Sequence, residues 1–401
     1  MFFRAMRIFC PLRLSPPLAV LAAGAVCLPV VGAETISPAV GPSLLVFIGT
    51  YTGAKSEGIY CAHFDPATGR LSAPELAAKT VNPSFLAIHP SRRFLYAVGE
   101  GGGQGAHRQG AVSAFGLDET SGKLTFLNEQ SSGGGGPCHL AVDQTGKWLL
   151  TANYGSGSVA TLPLQADGLM GVPSATVQHQ GSSVDAQRQT GPHAHFITTD
   201  PANRLVLACD LGLDKVLVYQ WDQDKGALTP NDPPWAMVKP GAGPRHLAFH
   251  PNGRLLFVIN EMGSSLTSFA YDPKHGALRG LQTLSTLPEG YTANNTAAEV
   301  RVHPSGKFAY ASNRGHNSIA VFSIDAAKAK LALVEIQPTQ GRSPRCVTLD
   351  PSGHWLLAQN QDSDNIVVFR VDEDTGRLTP TGQEVKVGSP VCLVFLPTSR
   401  S

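Results

Sequence analysis

His193 and His195 stand one residue apart in Gly191-Pro-His-Ala-His, a spacing that suits proton transfer or a metal. An unperturbed imidazole titrates near neutral pH and serves as general acid or base. A His-x-His pair also ligates zinc, but such sites continue with further His and Asp ligands, and here Phe196-Ile-Thr follows. Arg245 and Glu261 lie sixteen residues apart, and Arg314 and Arg345 follow 53 and 84 residues after Glu261. Arginines in such a set bind a carboxylate or phosphate and stabilise a developing oxyanion, with Glu261 as a candidate base. The bland alternative is that Arg245 and Glu261 simply pair with each other. Glu299 and Arg301, two residues apart in Ala298-Glu-Val-Arg, share one face if they lie on a strand. Glu100 and Tyr154 complete the candidate set. The chain has no Gly-x-x-x-x-Gly-Lys-Ser/Thr loop, Gly-x-Ser-x-Gly elbow, His-Glu-x-x-His or Cys-x-x-Cys-His, so no cofactor and no metal is expected.

What positions these residues is a repeat. Pro83-Ser-Phe-Leu-Ala-Ile-His-Pro-Ser matches Pro244-Arg-His-Leu-Ala-Phe-His-Pro-Asn, and the unit returns at Pro137, Ala194, Ala297, Pro344 and, cut short, Pro390. Each unit has an apolar run, a turn such as His250-Pro or Asp350-Pro, and a second run. Most add a third run and then Asp-x-x-x-Gly-x-Leu, as from Asp272 to Leu278. Short β-branched and aromatic runs bounded by Pro, Gly, Asn and Asp are strands and hairpin turns. Several strands per unit of about fifty residues mean propeller blades or a solenoid. The two ends decide between them. The last unit stops after one strand near 391–395, and residues 44–50 and 58–65 supply the strands it lacks. The expected fold is therefore an all-β, seven-bladed β-propeller whose last blade is closed by strands from both termini.

The repeat also separates scaffold from chemistry. Counted from each unit's first Pro or Ala, offset 16 is Asn153, Asp210, Asn260, Asn313 and Asn360, a recurring turn device with Gly99 the exception. Offset 1 (Ser84, Cys138, His195, Arg245, Ala298, Arg345) and offset 17 (Glu100, Tyr154, Leu211, Glu261, Arg314, Gln361) vary in chemistry. In an antiparallel hairpin both offsets lie at one end, so they ring one mouth of the channel lined by the first strands. The histidines of the His-Pro turns lie at the other end. His139 and His246, at offset 2, are expected to face the neighbouring blade.

The 401 residues include 42 Gly and 30 Pro, a turn-rich composition suited to one large β architecture. Arg4, Arg7 and Arg13, an apolar stretch at 18–31 and Val31-Gly-Ala read as a signal peptide over residues 1–33, with residues 34–401 as a single propeller domain. Its removal turns a net charge of +1 into −2, 28 basic against 30 acidic residues. That charge excludes the basic surface nucleic acid demands, and the apolar stretch is short for a span. The expected product is a periplasmic or secreted monomer with no membrane contact after cleavage. Cys61, Cys138, Cys209, Cys346 and Cys392 would remain, an odd set without Cys-x-x-Cys pairing, expected as packed thiols or one disulfide among them.

Phe47-Ile-Gly-Thr-Tyr-Thr, Gly191-Pro-His-Ala-His, Gly243-Pro-Arg-His-Leu-Ala-Phe-His-Pro, Val258-Ile-Asn-Glu, Ala298-Glu-Val-Arg, Ser312-Asn-Arg-Gly and Ser343-Pro-Arg resemble segments of a known family. It is the seven-bladed propeller lactonases, which contain bacterial 6-phosphogluconolactonase and a fungal cycloisomerase acting on carboxymuconate. The resemblance spans residues 44–397. It implies a metal-free site at the channel mouth using His, Glu and Arg, carried onto His193 or His195, Arg245, Glu261 and Arg314, with a small-molecule lactone as substrate. A cycloisomerase, or a propeller that only binds a ligand or protein, are the alternatives.

Overall fold

The computed structural model describes residues 43–101 and 110–396. The signal-peptide reading and residues 34–42 lie outside the described residues. Seven antiparallel sheets follow one another around a ring. Their innermost strands are Leu86–Ile88, Pro137–Val142, Ala194–Thr199, Pro244–Phe249, Thr296–Val302, Pro344–Leu349 and Pro390–Phe395. Numbered in that order, blades one to six are continuous in sequence. In blade seven, Pro390–Phe395 pairs with Leu44–Thr50, which pairs with Gly58–Asp65, so both ends of the chain build it.

The second strands, such as Leu205–Asp210 and Leu255–Asn260, are buried throughout, because each blade is covered on both faces by its neighbours. Seven apolar clusters fill the seven interfaces. Closure follows from strand alternation: Leu45 and Phe47 pack on blade one beside Leu86 and Leu95, while Val46 and Ile48 pack on blade six beside Leu357 and Ile366. Each continuous blade also carries a fourth, outer strand, which in four of the six follows the Asp-x-x-x-Gly-x-Leu turn, for example Leu278–Ser285. Its mixed, half-exposed pattern hid it from the apolar periodicity. In those turns the Asp accepts backbone N–H bonds, as Asp372 does from Asp374 and Thr375, and Gly376 takes φ +73°, a conformation a Cβ would strain.

The far turns tie blades together. His89, His250 and His303 each place Nε2 2.8–3.0 Å from the turn carbonyl of the next blade, at Gly146, Gly306 and Gly353. A carbonyl only accepts, so each ring is protonated at Nε2. These histidines are structural. Trp355 Nε1 donates to the Pro66 carbonyl at 2.9 Å and so links blade six to the closing blade. All five described cysteines are free thiols, and four are buried.

Candidate active site at the channel mouth

A β-bulge recurs at the start of the inner strands. Pro244 pairs with Asn260 and His246 with Ile259, which leaves Arg245 as an extra residue; Cys138, His195, Arg345 and Val391 are extra in the same way. A bulge breaks the two-residue alternation and re-aims the side chains around it. Offsets 1 and 2 therefore both face the channel: Ser84, Phe85, Cys138, Arg245, His246, Glu299, Arg345 and Val391 line one small central cavity. The expectation that His139 and His246 face a neighbouring blade is corrected. Phe85 of blade one and His246 of blade four, which are not neighbours, have ring centroids 5.9 Å apart, a contact possible only across the centre.

Glu261 is the focus of the mouth. Arg314 Nη2 lies 2.9 Å and Arg245 Nε 3.0 Å from its Oε2, and Arg188 Nη2 donates to Oε1 at 2.9 Å. Burial by itself would raise this carboxyl, but the charges of Arg314 and Arg245, with His195 and Arg188 behind them, hold it well below the usual carboxylate range. Arg245 is fixed further by Nη1, 2.6 Å from the Ala298 carbonyl, and Arg314 by Nη2, 3.3 Å from the Ala297 carbonyl. Burial, only partly offset by Glu261 and reinforced by Arg245, pulls Arg314 down to about 10, so it stays charged at neutral pH. The N–H groups of Arg245 Nε and Arg314 Nε are nonetheless buried without an aligned acceptor among the described residues. Such donors are strong hydrogen-bonding capacity left open.

The two histidines differ in kind. His193 is half-buried, stacked on Tyr154 at 4.5 Å, with Nδ1 2.9 Å from the Tyr154 carbonyl. That carbonyl accepts only, so Nδ1 carries the proton and Nε2 keeps its lone pair. His195 is buried in the channel, and its Nδ1 has no hydrogen-bond partner among the described residues. Burial first, then the charge of Arg245 and the proximity of His246, keep its ring neutral far below the usual imidazole range. Asp210 anchors both ends of the segment that carries His193: Oδ1 accepts from the His193 N–H at 2.8 Å and Oδ2 meets His179 Nδ1 at 2.6 Å.

Across the mouth, Glu100 accepts from Tyr51 and Ser84 at 2.8 and 2.5 Å, and Arg345 stacks over the Tyr51 ring at 5.3 Å with Nη2 4.0 Å from Glu100. Four guanidiniums (Arg188, Arg245, Arg314, Arg345) thus face two carboxylates (Glu261, Glu100), a net excess of positive charge in a partly dry mouth. Glu299 and Arg301 lie apart from this group. They share a face, with Arg301 Nη2 3.4 Å from Glu299 Oε2, but Glu299 bonds His246 Nδ1 at 3.2 Å and Cys346 Sγ at 3.6 Å on the channel wall. His246 Nε2, 3.3 Å from Arg245 Nη1, is the link between the two groups.

Residues 45–395 match the model of the seven-bladed β-propeller lactonases. A 6-phosphogluconolactonase of Bacillus subtilis is 39% identical over 87% of this chain and 97% of its own length. The chain belongs to the propeller lactonase family. A 6-phosphogluconolactonase of Formosa agariphila is 33% identical over 88% of this lactonase and its own entire length. The solved structure of a periplasmic gluconolactonase from Pseudomonas aeruginosa superposes with a TM-score of 0.83 at 34% identity, covering 88% of this chain and 99% of that one.

In this lactonase the motif residues His193, His195, Arg245, Glu261 and Arg314 converge on one mouth, with Tyr154, Glu100 and Arg345 on its rim. Sequence reasoning missed Arg188 and Tyr51. Arg188 comes from the strandless segment 179–193, outside the repeat, and the only signal was the extra length before the Ala194 strand. Tyr51 follows the first described strand in Phe47-Ile-Gly-Thr-Tyr-Thr, whose blade begins at the other end of the chain.

Proposed function

We infer that the protein hydrolyses a sugar-derived lactone at this mouth without a metal. The observation that carries the reading is the convergence of Arg188, Arg245 and Arg314 on Glu261 beside a histidine with a fixed tautomer. Water attacks the lactone carbonyl carbon while His193 Nε2 takes its proton, and the Nδ1–H bond to the Tyr154 carbonyl steadies the imidazolium. Arg245 and Arg314 hold the oxyanion through donors already oriented by Glu261 and by backbone carbonyls. Collapse of the tetrahedral intermediate breaks the ring C–O bond, and His193 returns the proton to the leaving oxygen. One water is consumed and a hydroxy acid results. Glu261 is a poor base while three arginines grip it; its part is to align them. His195, kept neutral and a weak base, offers its open Nδ1 to a substrate hydroxyl. The positive excess at the mouth disfavours a bound cation, in keeping with metal-free chemistry.

The test is hydrolysis of gluconolactone and 6-phosphogluconolactone, followed against the spontaneous rate. Acceleration that His193→Gln abolishes supports the reading; no acceleration with either lactone ends it. The basic and apolar N-terminus, and the likeness to a protein described as periplasmic, support export with cleavage near Ala33. One chain supplies every group at the mouth, so a monomer suffices. The mass of the mature protein in a periplasmic fraction checks the first point, and sedimentation the second.

A further inference from the structure

Arg188 is unlike the other three arginines of the mouth. Its side chain is 41% exposed, against 2% for Arg245, 15% for Arg314 and 16% for Arg345. Arg245 and Arg314 are clamped to backbone carbonyls, whereas the Arg188 guanidinium bonds only side chains, Glu261 Oε1 at 2.9 Å and the Tyr154 hydroxyl at 3.0 Å, both through Nη2. Its Nε and Nη1 have no protein acceptor among the described residues. The backbone beneath it is held: Asp185 accepts the Gln187 and Arg188 N–H groups, and Gln189 Nε2 donates to the Leu211 carbonyl at 2.8 Å. The loop is thus held by backbone bonds, while the guanidinium is anchored only through Nη2. Glu261 keeps two arginines without it, because Arg245 and Arg314 both engage the other oxygen, Oε2.

We propose that Arg188 selects for an anionic lactone by exchanging Glu261 Oε1 for the substrate's phosphate or carboxylate. The inference rests on the lactonase reading and deepens it. The anion enters a mouth that already carries excess positive charge, and a guanidinium presents a planar fork suited to a two-oxygen anion. Its departure exposes Oε1 on the solvent side of Glu261, so an anionic substrate remodels the mouth in a way a neutral one does not.

The experiment compares kcat/KM for 6-phosphogluconolactone and for gluconolactone in wild type, Arg188→Gln and Arg188→Lys. The ratio of the phosphorylated to the neutral substrate should fall about 10- to 100-fold in Arg188→Gln, mostly through KM, as expected for one charge-assisted hydrogen bond. Arg188→Lys should recover part of it, keeping the charge without the fork. A ratio unchanged in Arg188→Gln overturns the role of Arg188 and leaves the lactonase reading intact. Wild type that accelerates neither lactone overturns the lactonase reading. In that event calorimetric titration with 6-phosphogluconate and gluconate still decides on Arg188: equal preference in wild type and Arg188→Gln overturns it, and a preference lost only in the variant sustains it.

Discussion

Arg245 Nε and Glu261 Oε2 meet at 3.0 Å across the first hairpin of blade four, with 2% and 8% of their side chains exposed. Both readings of this pair, catalytic and structural, thus describe one object. The ion pair is buried, and among the described residues no acceptor is aligned with the Arg245 Nε–H. From sequence alone, channel-mouth residues are expected to contribute little to folding; their burial reverses that.

Glu261→Gln should therefore lower stability by about 3–5 kcal/mol, because three arginines lose their shared anion in a poorly hydrated place. Arg245→Ala should also destabilise, by leaving Glu261 under-compensated. Thermal melts give the stability loss. Turnover per folded molecule should fall a further factor of about 10²–10³ in both, the scale of losing one oxyanion donor. Full turnover per folded molecule would make the pair purely structural.

The pH dependence has a defined sign. The Glu261 carboxyl is held below its unfolded value by Arg314 and Arg245, which with His195 and Arg188 overcome the opposing effect of burial. Its stabilisation is complete above the unfolded carboxylate value of about 4.3 and is lost as pH falls from there through the lower folded value. The melting-temperature gap between wild type and Glu261→Gln should stay constant from about pH 5 to 8 and narrow below about pH 4. A gap that closes near pH 6 would place the titrating group elsewhere.

The histidines should separate kinetically. His193→Gln removes the imidazole whose tautomer the Tyr154 carbonyl fixes, and should lower kcat about 10²–10⁴-fold with little change in KM. His195→Gln removes a buried, neutral ring, and should act mainly on KM. The reverse pattern in steady-state kinetics would move the base to His195.

Lactone turnover should survive exhaustive dialysis against EDTA. Glu261 is engaged by three arginines, Glu100 by Tyr51 and Ser84, and the surplus charge at the mouth is positive. Activity lost on chelation and restored by calcium or zinc would contradict the metal-free assignment.

Scaffold substitutions should behave oppositely. Phe47→Ala empties a fully buried site where blade seven packs on blade one, and should cost about 3–5 kcal/mol. Asn313→Ala takes the side-chain donor from the buried Thr286 carbonyl, while the Thr286 hydroxyl keeps the Ser264 carbonyl, at a cost of about 1–3 kcal/mol. Neither should change turnover per folded molecule. If Asn313→Ala lowers turnover without moving the melt, offset 16 belongs to the chemistry.

The number of blades, their closure by both termini and the hairpin end at which Arg245, Glu261 and Arg314 gather were all legible in the sequence. A repeat acts as an internal comparison: a small polar residue at offset 16 recurs in most blades as a turn device, whereas offsets 1 and 17 change from blade to blade, with Arg245 and Glu261 from blade four and Arg314 from blade five meeting at a shared mouth. Those inferences are local, resting on hairpin register and strand length. What only the tertiary structure decided depends on register faults and distant chain. The bulge at offset 1 breaks the alternation that had assigned His139 and His246 to a blade interface, and brings them with Glu299 onto the channel wall. It also separates Glu299 and Arg301 from Glu261, although all three looked equivalent as acids and bases near a strand end. Arg188 reaches Glu261 from a segment with no repeat and no period, and 73 residues of sequence separate the two. Periodicity cannot register such a contact, because it is set by where the ring brings blade three's approach loop over blade four.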